Sequence, residues 1–227
     1  MPRSTSRARA PRADAAANRD ALLTAAATTL ATDPDASLEQ IAQAAGLSRR
    51  AVYGHFQGRD ELVAATLEEG ALRLVGVTAD LGDDLDERIA VATIAARLWA
   101  SVAHVRLAAG LALREPYVHR IAGALAPLRA RVEQLVRRGA ANGTLRADLP
   151  AETVAHLVER SAIAVLAEAN RTGMDDAEGH RLVMLAALGA AGLSWRESAD
   201  LIDATPSLAP GAAGTPGADA SPEAPAR

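Results

Sequence analysis

Arg49 and Arg50 are adjacent, and Ser48 stands immediately before them. A guanidinium offers two parallel N–H donors, which match the O6 and N7 acceptors of guanine in the major groove of DNA. Tyr53 and His55 follow at short spacing, and Ser37 and Ser48 add hydroxyls. All four can donate to phosphate oxygens, which fixes register on a duplex without reading its sequence. Gly54 lies between Tyr53 and His55. Glycine costs a helix roughly 1 kcal/mol relative to alanine, so its presence here suits a close approach of backbone or DNA. The chemistry available to this cluster is recognition.

The surrounding stretch supplies the elements that would position these groups. Ser37 can cap a helix whose Leu38, Ile41, Ala42 and Ala45 form one apolar face. Gly46 suits the left-handed conformation at a helix end, and Leu47 plugs the corner. Ser48 then caps a second helix over Arg49–Phe56, in which Val52 and Phe56 share a face. Arg49, Arg50, Tyr53, Gly54 and His55 are left as candidates for the open side. Two short helices with a glycine turn, the second opening on arginine, make a helix-turn-helix that enters the major groove N-terminus first. Gln57-Gly58-Arg59-Asp60 starts a further helix, whose free N–H groups and Arg59 suit a phosphate.

The run Ile41-Ala42…Ala45-Gly46-Leu47-Ser48…Val52-Tyr53…His55-Phe56…Arg59-Asp60-Glu61-Leu62 resembles the N-terminal domain of TetR-family transcriptional regulators over about residues 18 to 70. The Tyr-x-His-Phe element, followed by a basic-acidic-Leu helix start, is its most specific part. The resemblance implies an all-helical homodimeric repressor with a ligand-binding C-terminal domain. By motif position it makes Arg49, Arg50 and Gly54 base-reading positions and Tyr53, His55 and Arg59 backbone contacts, with Ser37 and Ser48 added for their hydroxyls. Two departures stand out. The link Thr32-Asp33-Pro34-Asp35-Ala36 lacks the family's usual Gly-aromatic pair, and Arg59 stands where Lys is common.

Composition sets the bounds. The chain has 227 residues, 49% apolar, with one Phe, two Tyr and two Trp. That Ala/Leu/Val-rich mixture favours helices over strands. Without cysteine there are neither disulfides nor thiolate metal sites. A net charge of −4 argues against a non-specific coat for nucleic acid, while leaving room for a local basic surface. Residues 1–13 carry Arg3, Arg7, Arg9 and Arg12 and no acid, and read as a disordered basic arm that either contacts DNA or is a solvated tail. The opening lacks the apolar core of a signal peptide, so a cytoplasmic protein is expected.

Beyond the motif, helices are expected over about Ala15–Ala31, Gly58–Val77, Asp86–Arg114, Tyr117–Ala124, Pro127–Asn142, Pro150–Thr172 and Asp175–Glu197. The domains expected are a helix-turn-helix domain over 14–60, a helical ligand-binding and dimerisation bundle over 61–203, and a Pro/Ala/Gly-rich disordered tail over 204–227. The long apolar helix from Asp86 could span a bilayer, but Arg97, His104 and Arg106 inside it favour a buried bundle helix and no membrane partner. Arg97 and His104, seven residues apart, would share a face. With Arg160 they would be polar anchors of an apolar pocket walled by Trp99 and Tyr117. Glu159 and Glu168 are candidate acids for pairing with Arg97.

The last two helices are apolar and rich in small residues, which suits both a core and a partner surface. The resemblance implies that they meet a symmetry mate, with Leu157, Ser161, Val165, Leu185, Leu188, Gly189 and Gly192 at the interface. No phosphate-cradling glycine loop, nucleophile elbow or His-Glu-x-x-His pair is present, and the histidines lack ligand spacing. No enzyme, cofactor or metal site is therefore expected. The function expected is a sequence-specific DNA-binding regulator, a homodimer on double-stranded operator DNA, released by a small apolar or amphipathic effector. The alternatives are a regulator without a dedicated effector and a helical protein-interaction module with secondary DNA binding.

Overall fold

The computed structural model describes residues 10–82 and 84–211. Residues 1–9 of the expected arm and 212–227 of the expected tail lie outside them. The described residues form eleven α-helices with short 3-10 turns and no strand. They divide into two compact units, one comprising the residues up to Val75 with Val102–Pro127, the other Gly76–Ser101 with the residues from Leu128 on.

The first unit contains α1 (Ala10–Thr32), α2 (Leu38–Ala44), α3 (Arg49–Tyr53), α4 (Arg59–Val75), α6 (Arg106–Leu111) and α7 (Val118–Ala124). α1 opens at Ala10, so its first turn takes in residues 10–13 of the stretch expected to be an arm. Leu22, Leu30, Ile41, Val52, Phe56, Leu62 and Val63 are buried in one core, which Ala108, Leu111, Tyr117 and Ile121 complete. α4 contributes Leu62, Val63, Ala64 and Leu67 to this core, so the unit runs well past residue 60.

The second unit contains α5 (Glu87–Val102), α8 (Ala126–Asn142), α9 (Ala151–Thr172), α10 (Asp176–Ala190) and α11 (Trp195–Asp203). α9 and α10 pack along each other. Their buried stripes are Val154, Ala155, Val158, Val165 and Ala169 on α9 and Val183, Met184, Ala187 and Leu188 on α10.

Two expected helices are broken. The stretch Glu87–Leu111 is apolar enough to cross a membrane by length and composition. It nevertheless changes to a 3-10 turn over Ala103–Val105 before α6 begins. The helix expected to reach Glu197 stops at Ala190. Gly192 takes φ +110°, and Ser194 then caps α11 in a reciprocal box with Glu197. The expected tail begins with structure as well: Pro206–Leu208 is a 3-10 turn, Leu208 is buried, and His180 Nε2 meets its carbonyl at 2.9 Å. A single leucine with one backbone partner is enough to dock a segment that composition alone marks as unstructured.

Candidate nucleic-acid interface

The helix-turn-helix is built as its sequence dictates. Ser37 Oγ accepts from the Gln40 N–H at 3.2 Å, and Gln40 Oε1 accepts from the Ser37 N–H at 2.7 Å, a complete capping box on α2. Gly46 sits at φ +67°, which spares the corner the strain a Cβ would bring, and Leu47 N–H donates to the Ala42 carbonyl. Ser48 Oγ accepts from Ala51 N–H and starts α3. Val52 and Phe56 are buried beneath α3 and fix its rotation. Consequently Ser48, Arg49, Arg50, Tyr53 and Gly54 are exposed and His55 is half-buried. α3 is shorter than expected, ending at Tyr53 with Gly54 as its cap.

The two arginines differ in their surroundings. Arg49 Nη2 lies 3.5 Å from Glu39 Oε1, and its guanidinium lies over the Tyr53 ring, 5.5 Å from the centroid. Tyr53, and after it Glu39, raise the pKa of Arg49 above its ordinary value. Arg50 makes no ion pair among the described residues. Glu39 was not singled out by its sequence position, since its approach to Arg49 depends on the angle at which α2 meets α3.

Arg59 is where the structure departs most from the expected interface. Its Nε donates to the Ala36 carbonyl at 2.8 Å and its Nη2 to the Pro34 carbonyl at 2.6 Å. The guanidinium is spent largely on bracing the link between α1 and α2, the link that lacks an aromatic residue. The Gln57 N–H ahead of α4 is also taken, by Glu61 Oε2 at 2.6 Å.

The five residues expected to line a pocket divide between the units, Arg97, Trp99 and Arg160 in the second and His104 and Tyr117 in the first. Arg97 Nη1 donates to the Val77 carbonyl at 2.8 Å, and its guanidinium grips Asp80 through both carboxylate oxygens. Glu159 and Glu168 pair instead with Arg129 and Arg171. Trp99 is buried, with Nε1 donating to the Asp176 carbonyl at 3.1 Å. His104 is exposed in the 3-10 turn, and the break at Val102 takes it off the helix that carries Arg97. Tyr117 belongs to the core of the first unit, and Arg160 is exposed.

Of the residues expected at a dimer surface, Leu157 is exposed, while Ser161 and Leu185 are half-buried and Gly189 is open with no neighbour near a Cβ position. Val165 and Leu188 point into their own unit's core. Gly192 lies beyond α10, and a Cβ there would fall 2.6 Å from Arg146 Cβ, so its role is a close backbone crossing.

A trihelical motif that buries Val52 and Phe56 and presents two arginines has the geometry of a helix-turn-helix. Residues 22–66 match the family described as bacterial regulatory proteins, tetR family. The matched segment runs from α1 through the helix-turn-helix into α4, so the first unit carries a TetR-type DNA-binding domain. Several solved structures share the fold of the chain. The fatty acid degradation regulator FadR from Bacillus halodurans is 16% identical, with a TM-score of 0.66 over 77% of this chain and 95% of that one. SmeT, the repressor of the Stenotrophomonas maltophilia multidrug efflux pump SmeDEF, is 23% identical, with a TM-score of 0.62 over 78% and 91%. RolR in complex with resorcinol is 18% identical, with a TM-score of 0.62 over 84% and 95%. No curated protein matches the chain.

Proposed function

We propose that the chain is a homodimeric repressor that reads a palindromic operator through α3 and is released by a small apolar or amphipathic ligand. The observation that carries the DNA reading is the burial of Val52 and Phe56, which turns Arg49, Arg50, Tyr53 and Gly54 outward together. Arg49, Arg50 and Gly54 lie on the exposed side of α3, the side that would face the bases, and Ser37, Ser48, Tyr53 and His55 can reach phosphates. Arg59 acts chiefly by holding α2 in place. For the dimer, Leu157, Ser161, Leu185 and Gly189 supply an accessible stripe of apolar and small side chains on α9 and α10. Two-fold symmetry would set two recognition helices about 34 Å apart, one duplex turn. Ligand release is supported by the RolR–resorcinol complex, which shows this fold holding a small phenol.

The test is a footprint of the full chain on its own upstream DNA, repeated with resorcinol as the probe. A protected palindrome bound by two chains, and lost on Leu185→Arg, is the expected result. A wild-type chain that is monomeric at micromolar concentration and protects no site would sink the reading.

A further inference from the structure

We propose that Glu39 is a specificity-determining residue of the DNA interface: it holds Arg49 against Tyr53, withholds that charge from non-specific phosphates, and leaves base reading to Arg50. The proposal rests on the reading of α3 as the DNA-contacting helix.

Its basis is the asymmetry between two neighbouring arginines. Arg49 is bracketed by Glu39 Oε1 on α2, 3.5 Å from Nη2, and by the Tyr53 ring, 5.5 Å from Cζ and one turn further along α3. Its guanidinium is thereby engaged by two neighbours within the chain, one on each of α2 and α3. Arg50 is exposed and carries no such tether. Successive residues are about 100° apart around a helix, so the two side chains leave α3 in different directions. One arginine is free to enter the groove, while the other is parked on an aromatic ring with its charge half-answered.

The consequence follows from what each kind of complex contains. Non-specific binding is carried almost wholly by phosphate contacts, and each phosphate neutralised adds about 0.9 to the slope of log affinity against log salt. To join such a complex Arg49 must leave Glu39, so the pair subtracts from non-specific affinity. In the operator complex α3 is fixed by base contacts and Arg49 stays on Tyr53, so the pair subtracts less. Glu39 thus widens the gap between the two. An exposed pair of this kind is weak, and the effect expected is accordingly about two- to fivefold in affinity.

The experiment uses the full chain, its footprinted operator and a scrambled duplex of equal length, titrated over a range of salt. Glu39→Gln is expected to raise affinity for the scrambled duplex about two- to fivefold and steepen its salt slope by about 0.9, with a smaller change on the operator. Arg50→Ala is expected to lose discrimination at a base pair that Arg49→Ala still discriminates. In an Arg49→Ala background, Glu39→Gln is expected to add nothing. A gain that survives without Arg49 would mean simple repulsion between Glu39 and DNA, and would overturn the proposal. So would an equal gain on both duplexes, no gain, or loss of base discrimination in Arg49→Ala. A wild-type chain with no operator preference would remove the underlying reading of α3 before any variant is compared.

Discussion

The hydroxyl of Tyr117 donates to Asp60 Oδ1 at 2.8 Å, joining the residue ahead of α7 to the first turn of α4. A second link, Arg120 to Glu68 at 2.7 Å, lies further along the same two helices. Tyr117 shares a core with Phe56 and Leu62. The α6–α7 segment is therefore fastened to the helix that follows α3, both by burial and by a directed hydrogen bond. Asp60 in turn lies beside Arg59, which braces the α1–α2 link. A displacement of α7 would thus reach the base of the DNA-binding motif through two adjacent side chains.

Tyr117→Phe keeps the ring and removes only this hydrogen bond. We expect a loss of about 1 kcal/mol in denaturant unfolding. Burial, and after it Asp60, pushes the Tyr117 hydroxyl above its ordinary value. A phenol whose pKa is raised by folding contributes stability that is complete below its unfolded value near 10 and is lost as pH rises through the folded value. Wild-type stability should therefore fall more steeply than that of Tyr117→Phe above about pH 10. Parallel alkaline limbs for the two proteins would show that the bond does not form in solution.

Arg97 clamps the turn Gly76–Thr78 to α5 through the Val77 carbonyl and Asp80. Arg97→Met should accordingly lower the melting temperature, by an amount corresponding to about 1–2 kcal/mol. Arg97 holds the Asp80 carboxyl below the usual carboxylate range. A carboxylate with a depressed folded pKa contributes stability above its unfolded value and loses it as pH falls through the folded value. Asp80→Asn should thus flatten the acid limb of the stability profile, and 1 M salt should narrow its difference from wild type. Thermal melts across acid pH at two salt concentrations check both statements.

Leu208 is 1% exposed, and its carbonyl meets His180 Nε2. Leu208→Ala should cost about 2–5 kcal/mol, the range for a fully buried leucine. Truncation after Thr205 should cost at least as much, because His180 loses its partner too. A truncated chain that melts with wild type would mean that the turn Pro206–Leu208 does not dock.

Much of the helix-turn-helix was legible in the sequence because its signals are local. Ser37 with Gln40, Gly46 and Ser48 fix the ends of α2 and α3 within a few residues of themselves, and Val52 with Phe56 fixes the buried face. The break after Ala190 had a local signal as well, in Gly192 and the Ser194-x-x-Glu197 box, but the apolar run through Leu193 masked it. Partners distant in sequence were not legible. Arg97 has acids on many helices to choose from, and only the placement of the turn after α4 selects Asp80. Likewise nothing near Arg59 announces that the Pro34 and Ala36 carbonyls will face it. The pocket anticipated from Arg97 and His104 assumed one straight helix, and the 3-10 turn at Ala103–Val105 removes that assumption.

Gly179 and Trp99 give the sharpest packing test. A Cβ on Gly179 would fall 1.9 Å from Trp99 Cζ2 and 2.3 Å from Cη2. The indole cannot slide away freely, because its Nε1 is held by the Asp176 carbonyl one turn earlier on α10. Alanine favours a helix over glycine by roughly 1 kcal/mol, so on propensity alone Gly179→Ala would stabilise α10. Overpacking a filled core costs typically 1–3 kcal/mol, and a clash this deep belongs at the upper end. Destabilisation should therefore win. Trp99→Phe in the same chain removes the clashing atoms, so the double variant should recover much of the loss relative to Trp99→Phe alone. A Gly179→Ala chain more stable than wild type would mean that Trp99 does not pack against α10 at this position.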